Sequence, residues 1–146
     1  MTSVAIPALL RRGAVAVAVG RVAIGVTALA RPSVPSRPWV GATADDLTAR
    51  VFGRALGARD LALGLGALAA LQRPVGEAGE TGSASAWVAA GALSDALDVV
   101  ASLASWRELP RVGRWLVAAS AGGAALVGAA GALALRPYRG YGAVTP

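Results

Sequence analysis

The sequence predicts an all-α fold: a single domain over residues 1–146 whose four helices cross a membrane as an integral four-helix bundle. Three observations predict it. The chain is 55% hydrophobic and only 15% charged, with a mean hydropathy of +0.59, too apolar for a water-soluble domain of this size. Four stretches, 13–30, 51–71, 86–106 and 115–135, approach the ~20 residues needed to cross a hydrocarbon layer about 30 Å thick. Each is fenced by Arg or Pro, and Trp and Tyr gather at the fences, where a ring keeps its body in lipid and its polar edge wet.

The first stretch follows Arg11 and Arg12 and stops at Arg31-Pro32. It competes with a secretory leader ending at Ala28-Leu29-Ala30, but Arg21 interrupts the apolar region, which leaders rarely tolerate. Residues 31–43, RPSVPSRPWVGAT, carry three prolines and predict an extended surface segment rather than a helix. Thr43 and Asp46 offer a capping pair for a helix that begins near Ala44 and runs into the second stretch, which ends at Arg73-Pro74. Residues 73–85 read as a flexible loop. Residues 107–114, RELPRVGR, predict a tight turn that makes the last two helices antiparallel neighbours. Arg136-Pro137 close the final stretch.

In a four-pass arrangement Trp39, Trp106 and Trp115 fall on one membrane face and Trp87, Tyr138 and Tyr141 on the other, with Phe52 outside both belts. The basic flanks divide seven against five between the faces, which leaves orientation open. The expected location is the cell membrane, as a multi-pass protein, and in a bacterium the inner membrane.

Association inside lipid depends on small residues that let backbones approach. Ala121, Ala124, Gly128 and Gly131 recur at helical spacing, Gly57, Asp60 and Gly64 share a face, and Gly91 stands one turn before Asp95. A weak internal similarity links Arg21-Val-Ala-Ile-Gly25 to Asp60-Leu-Ala-Leu-Gly64, the kind of repeat from which many transporters are built.

Five charges lie inside the stretches: Arg21, Arg59, Asp60, Asp95 and Asp98. Each costs about 2.5–3.5 kcal/mol at a helix centre, so they are expected to face inward and pair. Asp95 and Asp98, three apart, project from one side of the third helix, with Ser94 and Ser102 one turn on either side of Asp98. The expected arrangement sets Arg21 opposite Asp95 and Asp98, with Asp60 close by. Arg59, rotated about 100° from Asp60, is expected to point elsewhere or to snorkel toward the headgroups. Asp45, Asp46, Glu77, Glu80 and Glu108 belong to connections and helix starts, as solvated or capping groups.

Two carboxylates beside one guanidinium need not titrate alike, so one can remain ionised while the other keeps a proton. Such a pair supplies an acid and a base without histidine. This favours Asp60, Asp95 and Asp98 as catalytic groups, with Arg21, Arg59, Ser94 and Ser102 binding substrate or pairing charge. The chemistry would be cyclisation, isomerisation or epoxide opening, as in a membrane cyclase, isomerase or epoxide hydrolase acting on a lipophilic small molecule. Two alternatives use the same residues: a small proton-coupled transporter, which needs a homodimer because four helices enclose little room, or a non-catalytic membrane partner whose ion pairs fix helix register.

Other classes are disfavoured. With no Cys and no His there is no disulfide framework and no thiolate or imidazole metal site. No phosphate-binding glycine loop or nucleophile elbow is present, and no cofactor is expected. The net charge of +6 comes from arginines scattered at segment ends, not from a stripe that would hold nucleic acid. The bilayer is the expected partner.

The string from Phe52 to Gly66, FGRALGARDLALGLG, followed by Gly91-Ala-Leu-Ser-Asp95-Ala-Leu-Asp98, resembles the small four-helix membrane proteins of actinobacteria and fungi that share a domain of unknown function and are DoxX-like in outline. The resemblance covers roughly a third of the chain, the second and third stretches. It implies a four-helix fold and shared polar positions at Arg59, Asp60, Asp95 and Asp98. It brings no activity with it.

Overall fold

A computed structural model describes residues 5–72 and 80–135. Among them are five α-helices, α1 (Ala5–Ala30), α2 (Ser33–Val40), α3 (Leu47–Leu71), α4 (Glu80–Ala104) and α5 (Arg111–Ala134), with a 3-10 turn over Gly41–Asp45 between α2 and α3. The described residues contain no strand. Among the described residues, three helical stretches are long and apolar enough to cross a membrane: Ala8–Ala30, Ala84–Ala104 and Arg111–Ala134. α3 is as long at 25 residues, but Arg50, Arg54, Arg59 and Asp60 set it apart from the other three.

The four long helices pack as a ring in the order α1, α3, α4, α5, each antiparallel to its neighbours. Gly25 meets Gly57 and Leu61 while Gly64 meets Ala18 and Val22; Gly66 meets Trp87; Gly128 meets Ala92; Gly13 meets Val127. Arg11, expected only as a flank, ties the start of α1 to the end of α3 by donating to the Leu71 carbonyl at 2.5 Å.

The interior is built from small side chains. Ala14, Ala18, Ala67, Ala70, Ala84 and Ala132 form the buried cluster with Leu71 and Val88, and among the described residues no large side chain is completely buried. Leu9, Val26, Leu65, Leu93, Leu97, Val100, Leu126 and Leu133 point outward and are more than half exposed. A water-soluble bundle would bury these and expose polar groups. Here alanine and glycine bring the helix backbones together, and the bulky apolar groups form the outer coat.

Three sequence expectations change. Residues 31–43 contain a helix, because the prolines sit where they cost least: Pro32 is the N-cap and Pro35 lies in the first turn, where amide hydrogens have no helical partner. Pro38 alone falls inside the helix, and α2 ends two residues later. The next helix starts at Leu47 with Asp46 as N-cap and no side-chain capping bond; the Thr43 hydroxyl instead donates to the Val40 carbonyl. Finally, 80–85 of the expected loop belong to α4, and the rest of that loop, like Tyr138 and Tyr141, lies outside the described residues.

α2 crosses the end of the bundle where α3 and α5 begin. The Gly113 hydrogen lies against the Trp39 carbonyl, and a methyl group there would overlap it. Trp106 and Trp115 meet edge to face at the same end, with centroids 5.3 Å apart, and the Arg114 guanidinium lies over Trp106. Trp87, packed on Gly66, marks the opposite end. The aromatic partition expected for these four tryptophans is the one observed.

Candidate functional site

The five internal charges form one chain that alternates in sign, Asp95–Arg21–Asp60–Arg59–Asp98. Arg21, 7% exposed, reaches from α1 across the bundle. Its Nη1 donates to Asp60 Oδ1 at 2.9 Å, and its Nη2 donates to the Gly91 carbonyl of α4 at 2.5 Å. The same Nη2 lies 2.6 Å from Asp95 Oδ2, close enough for strong attraction but not aimed as a hydrogen bond. Gly91 makes this approach possible: a Cβ there would stand 3.2 Å from Arg21 Nε. A larger residue would hold the guanidinium off the helix.

Arg59 grips Asp98 with both ends of its fork, Nη1 to Oδ1 at 3.0 Å and Nη2 to Oδ2 at 2.8 Å. It also donates to Asp60 Oδ1 from Nε and Nη2, at 3.3 and 3.2 Å. One Asp60 oxygen therefore joins the two guanidiniums. Bidentate charged bonds of this kind are among the strongest and most directional available to side chains.

This arrangement corrects two expectations. Arg21 pairs with Asp60 and Asp95, not with Asp98, and Arg59 does not snorkel but holds Asp98. The 100° rotation between Arg59 and Asp60 is real, yet an arginine side chain is long enough to curl back beside its neighbour while reaching the adjacent helix. The ring order decides the outcome, because α4 occupies the quadrant that Arg59 faces. Ser102 donates to the Asp98 carbonyl of its own helix at 2.7 Å, so it shapes the helix rather than the carboxylate. The Ser94 hydroxyl is buried without a hydrogen-bond partner among the described residues.

The cluster forms the floor of a cavity of about 300 Å³ bordered by Val17, Gly20, Arg21, Ile24, Trp39, Asp60, Asp95, Asp98, Val117, Ser120, Ala121 and Ala124. Its charged wall comes from α1, α3 and α4, and its apolar wall from α1 and α5. Ile24 and Ser120 are exposed at the rim, so the cavity opens sideways between α1 and α5. A second cavity of about 90 Å³, on the α2 and α3 side, shares Ile24, Trp39, Asp60 and Asp98 with the first. Trp39, read from sequence only as an interfacial anchor, thus lines both, its indole nitrogen buried without a partner among the described residues. The proline-rich context of Trp39 hid this role. Asp95 Oδ2 is likewise buried without an aimed hydrogen bond.

Comparisons with protein-family models, with curated proteins and with solved structures return no match.

Proposed function

We propose that the chain is a multi-pass integral membrane protein in which α1, α3, α4 and α5 all cross the bilayer, and that it is an enzyme performing acid/base chemistry on a lipophilic small molecule. The outward leucines and valines and the alanine interior support the first part, and the pairing of every charge on the inner half of α3 removes the main objection to its crossing. α2 then lies at one membrane face.

The observation that carries the catalytic reading is the placement of three carboxylates on the floor of a largely apolar cavity that opens sideways between α1 and α5. Its size falls at the low end of the ~300–1,000 Å³ typical of small-molecule sites. Three carboxylates face two guanidiniums, so the cluster is neutral when it holds one proton. Asp95, with an oxygen free of aimed hydrogen bonds, is the acid: its O–H gives a proton to an epoxide oxygen or an alkene carbon. Asp98, fixed by the Arg59 fork, is the base that accepts a proton from another carbon, whose C–H electron pair becomes the new double bond. The sum is an isomerisation or cyclisation that returns the proton and needs no oxidant. Asp60 keeps both guanidiniums in place.

The test incubates the protein in lipid nanodiscs with a lipid extract of its host in D2O and follows deuterium entering apolar products by mass spectrometry. Incorporation that vanishes in Asp95→Asn and Asp98→Asn proteins of unchanged helicity is expected. Incorporation unaffected by both substitutions would remove the carboxylates from the chemistry.

The second cavity favours one further reading, a proton-coupled transporter with Asp60 and Asp98 exposed to each cavity in turn. Proton flux into liposomes driven by a gradient, lost in Asp98→Asn, would support it over catalysis.

A further inference from the structure

The charge chain begins and ends on a carboxylate, and this fixes its appetite. From α1 the cavity is faced by Arg21, from α3 by Asp60 with Arg59 behind it, and from α4 by Asp95 and Asp98; α2 offers the Trp39 ring, and the α5 residues there, Val117, Ser120, Ala121 and Ala124, carry no charge. The guanidiniums are committed: Arg21 to Asp60, Gly91 and Asp95, and Arg59 to Asp98 and Asp60. Among the described residues that line the cavity, no cation remains to meet an anionic ligand. Without a proton the cluster carries one negative charge beside an apolar wall, a state that a low-dielectric site opposes unless a positive charge is supplied.

We propose that the cavity binds a lipophilic cation, a positively charged nitrogen or carbon with apolar substituents, its charge on the Asp95 and Asp98 carboxylates and its body against α5. An amine held as its ammonium meets this description. So does the cationic centre formed when an alkene or epoxide accepts the Asp95 proton, and in that guise the inference rests on the acid/base reading. The Trp39 ring supplies an aromatic wall of the kind that attracts cations. Entry is lateral, between α1 and α5, where a Cβ on Gly20 would meet nothing within 4 Å. Cation and proton compete for the same negative charge, so binding weakens as pH falls and releases a proton wherever the free cluster holds one.

Octyltrimethylammonium and its uncharged isostere 2,2-dimethyldecane test this in nanodiscs of zwitterionic lipid. The ammonium is expected to bind at least ~10-fold more tightly than the isostere, with release of up to about one proton per cation, measured by calorimetry in buffers of different ionisation heat. The preference should disappear in Asp95→Asn. Because that variant can fail to fold, Ala121→Phe, which fills the cavity without touching a charge, is expected to abolish ammonium binding while leaving the helices intact. Equal binding of the two probes, or a preference that survives Ala121→Phe, overturns the inference. Equal binding leaves the acid/base reading standing, whereas ammonium binding with no deuterium incorporation supports the cation site and removes the catalytic reading.

Discussion

On the side of α1 that faces α3, glycines let backbone meet backbone: a Cβ on Gly25 would lie 2.7 Å from the Gly57 carbonyl oxygen and from the Leu61 amide nitrogen, and one on Gly64 would lie 2.8 Å from the Ala18 carbonyl oxygen. On the side that faces α5, Gly20 has open space beside it and the helices part around the cavity. The same residue type closes one seam and leaves the other open. Glycine permits close approach but does not cause it. What draws α1 onto α3 is a run of small residues in register together with the Arg21–Asp60 pair midway along. The α5 seam has small residues and, among the described residues, no ion pair across it.

The largest effect is expected at Arg21. Arg21→Leu leaves Asp60 and Asp95 buried without this partner, and stability is expected to fall by about 3–5 kcal/mol, read as loss of helical circular dichroism at lower temperature in detergent. Gly25→Leu attacks the closed seam directly. It must force α3 away, with an expected loss of about 1–3 kcal/mol and a lowered unfolding midpoint in the same assay. Gly20→Ala on the open seam should do the reverse, gaining about 0.5–1 kcal/mol because the methyl group meets nothing and the unfolded chain loses freedom. A loss there comparable to Gly25→Leu would mean that the two seams are alike after all.

The smallest effect is expected away from both seams. Arg37 and Asp45 form an exposed ion pair, and the Arg37 hydrogen bond, aided by Ser33, holds the Asp45 carboxyl below its ordinary value of 3.8. Because the folded value is the lower one, any contribution is present above pH 3.8 and fades as the pH falls through the depressed value. Exposed pairs contribute little, so Arg37→Gln should leave the thermal midpoint at neutral pH unmoved, whereas a clear drop would show α2 to be held by this pair.

Much of this was legible in the residues. Arg21, Asp60, Asp95 and Asp98 stand in apolar runs, and the cost of leaving a charge unpaired among apolar side chains favours bringing them together whatever the details. The internal similarity was also informative. Its equivalent glycines make equivalent contacts, Gly25 on Gly57 and Leu61 and Gly64 on Ala18 and Val22, while Arg21 and Asp60, thirty-nine positions apart, bond to each other. α2 is hard to see in the sequence because prolines break a helix only in its interior, whereas Pro32 and Pro35 occupy the N-cap and first turn. The partner of Arg59 was hidden because helix phase says where a Cβ points, not where a long side chain ends.

That the chain is helical, that its bulky apolar groups call for an apolar surrounding and that its internal charges pair can be read from the residues alone, since each follows from local composition and the cost of an unpaired charge. Which arginine holds which aspartate, and that Trp39 lines two cavities beside them, emerges from the packing of the helices. Those outcomes depend on the order of helices around the ring and on how closely each pair approaches, and both are settled by contacts between residues far apart in the chain.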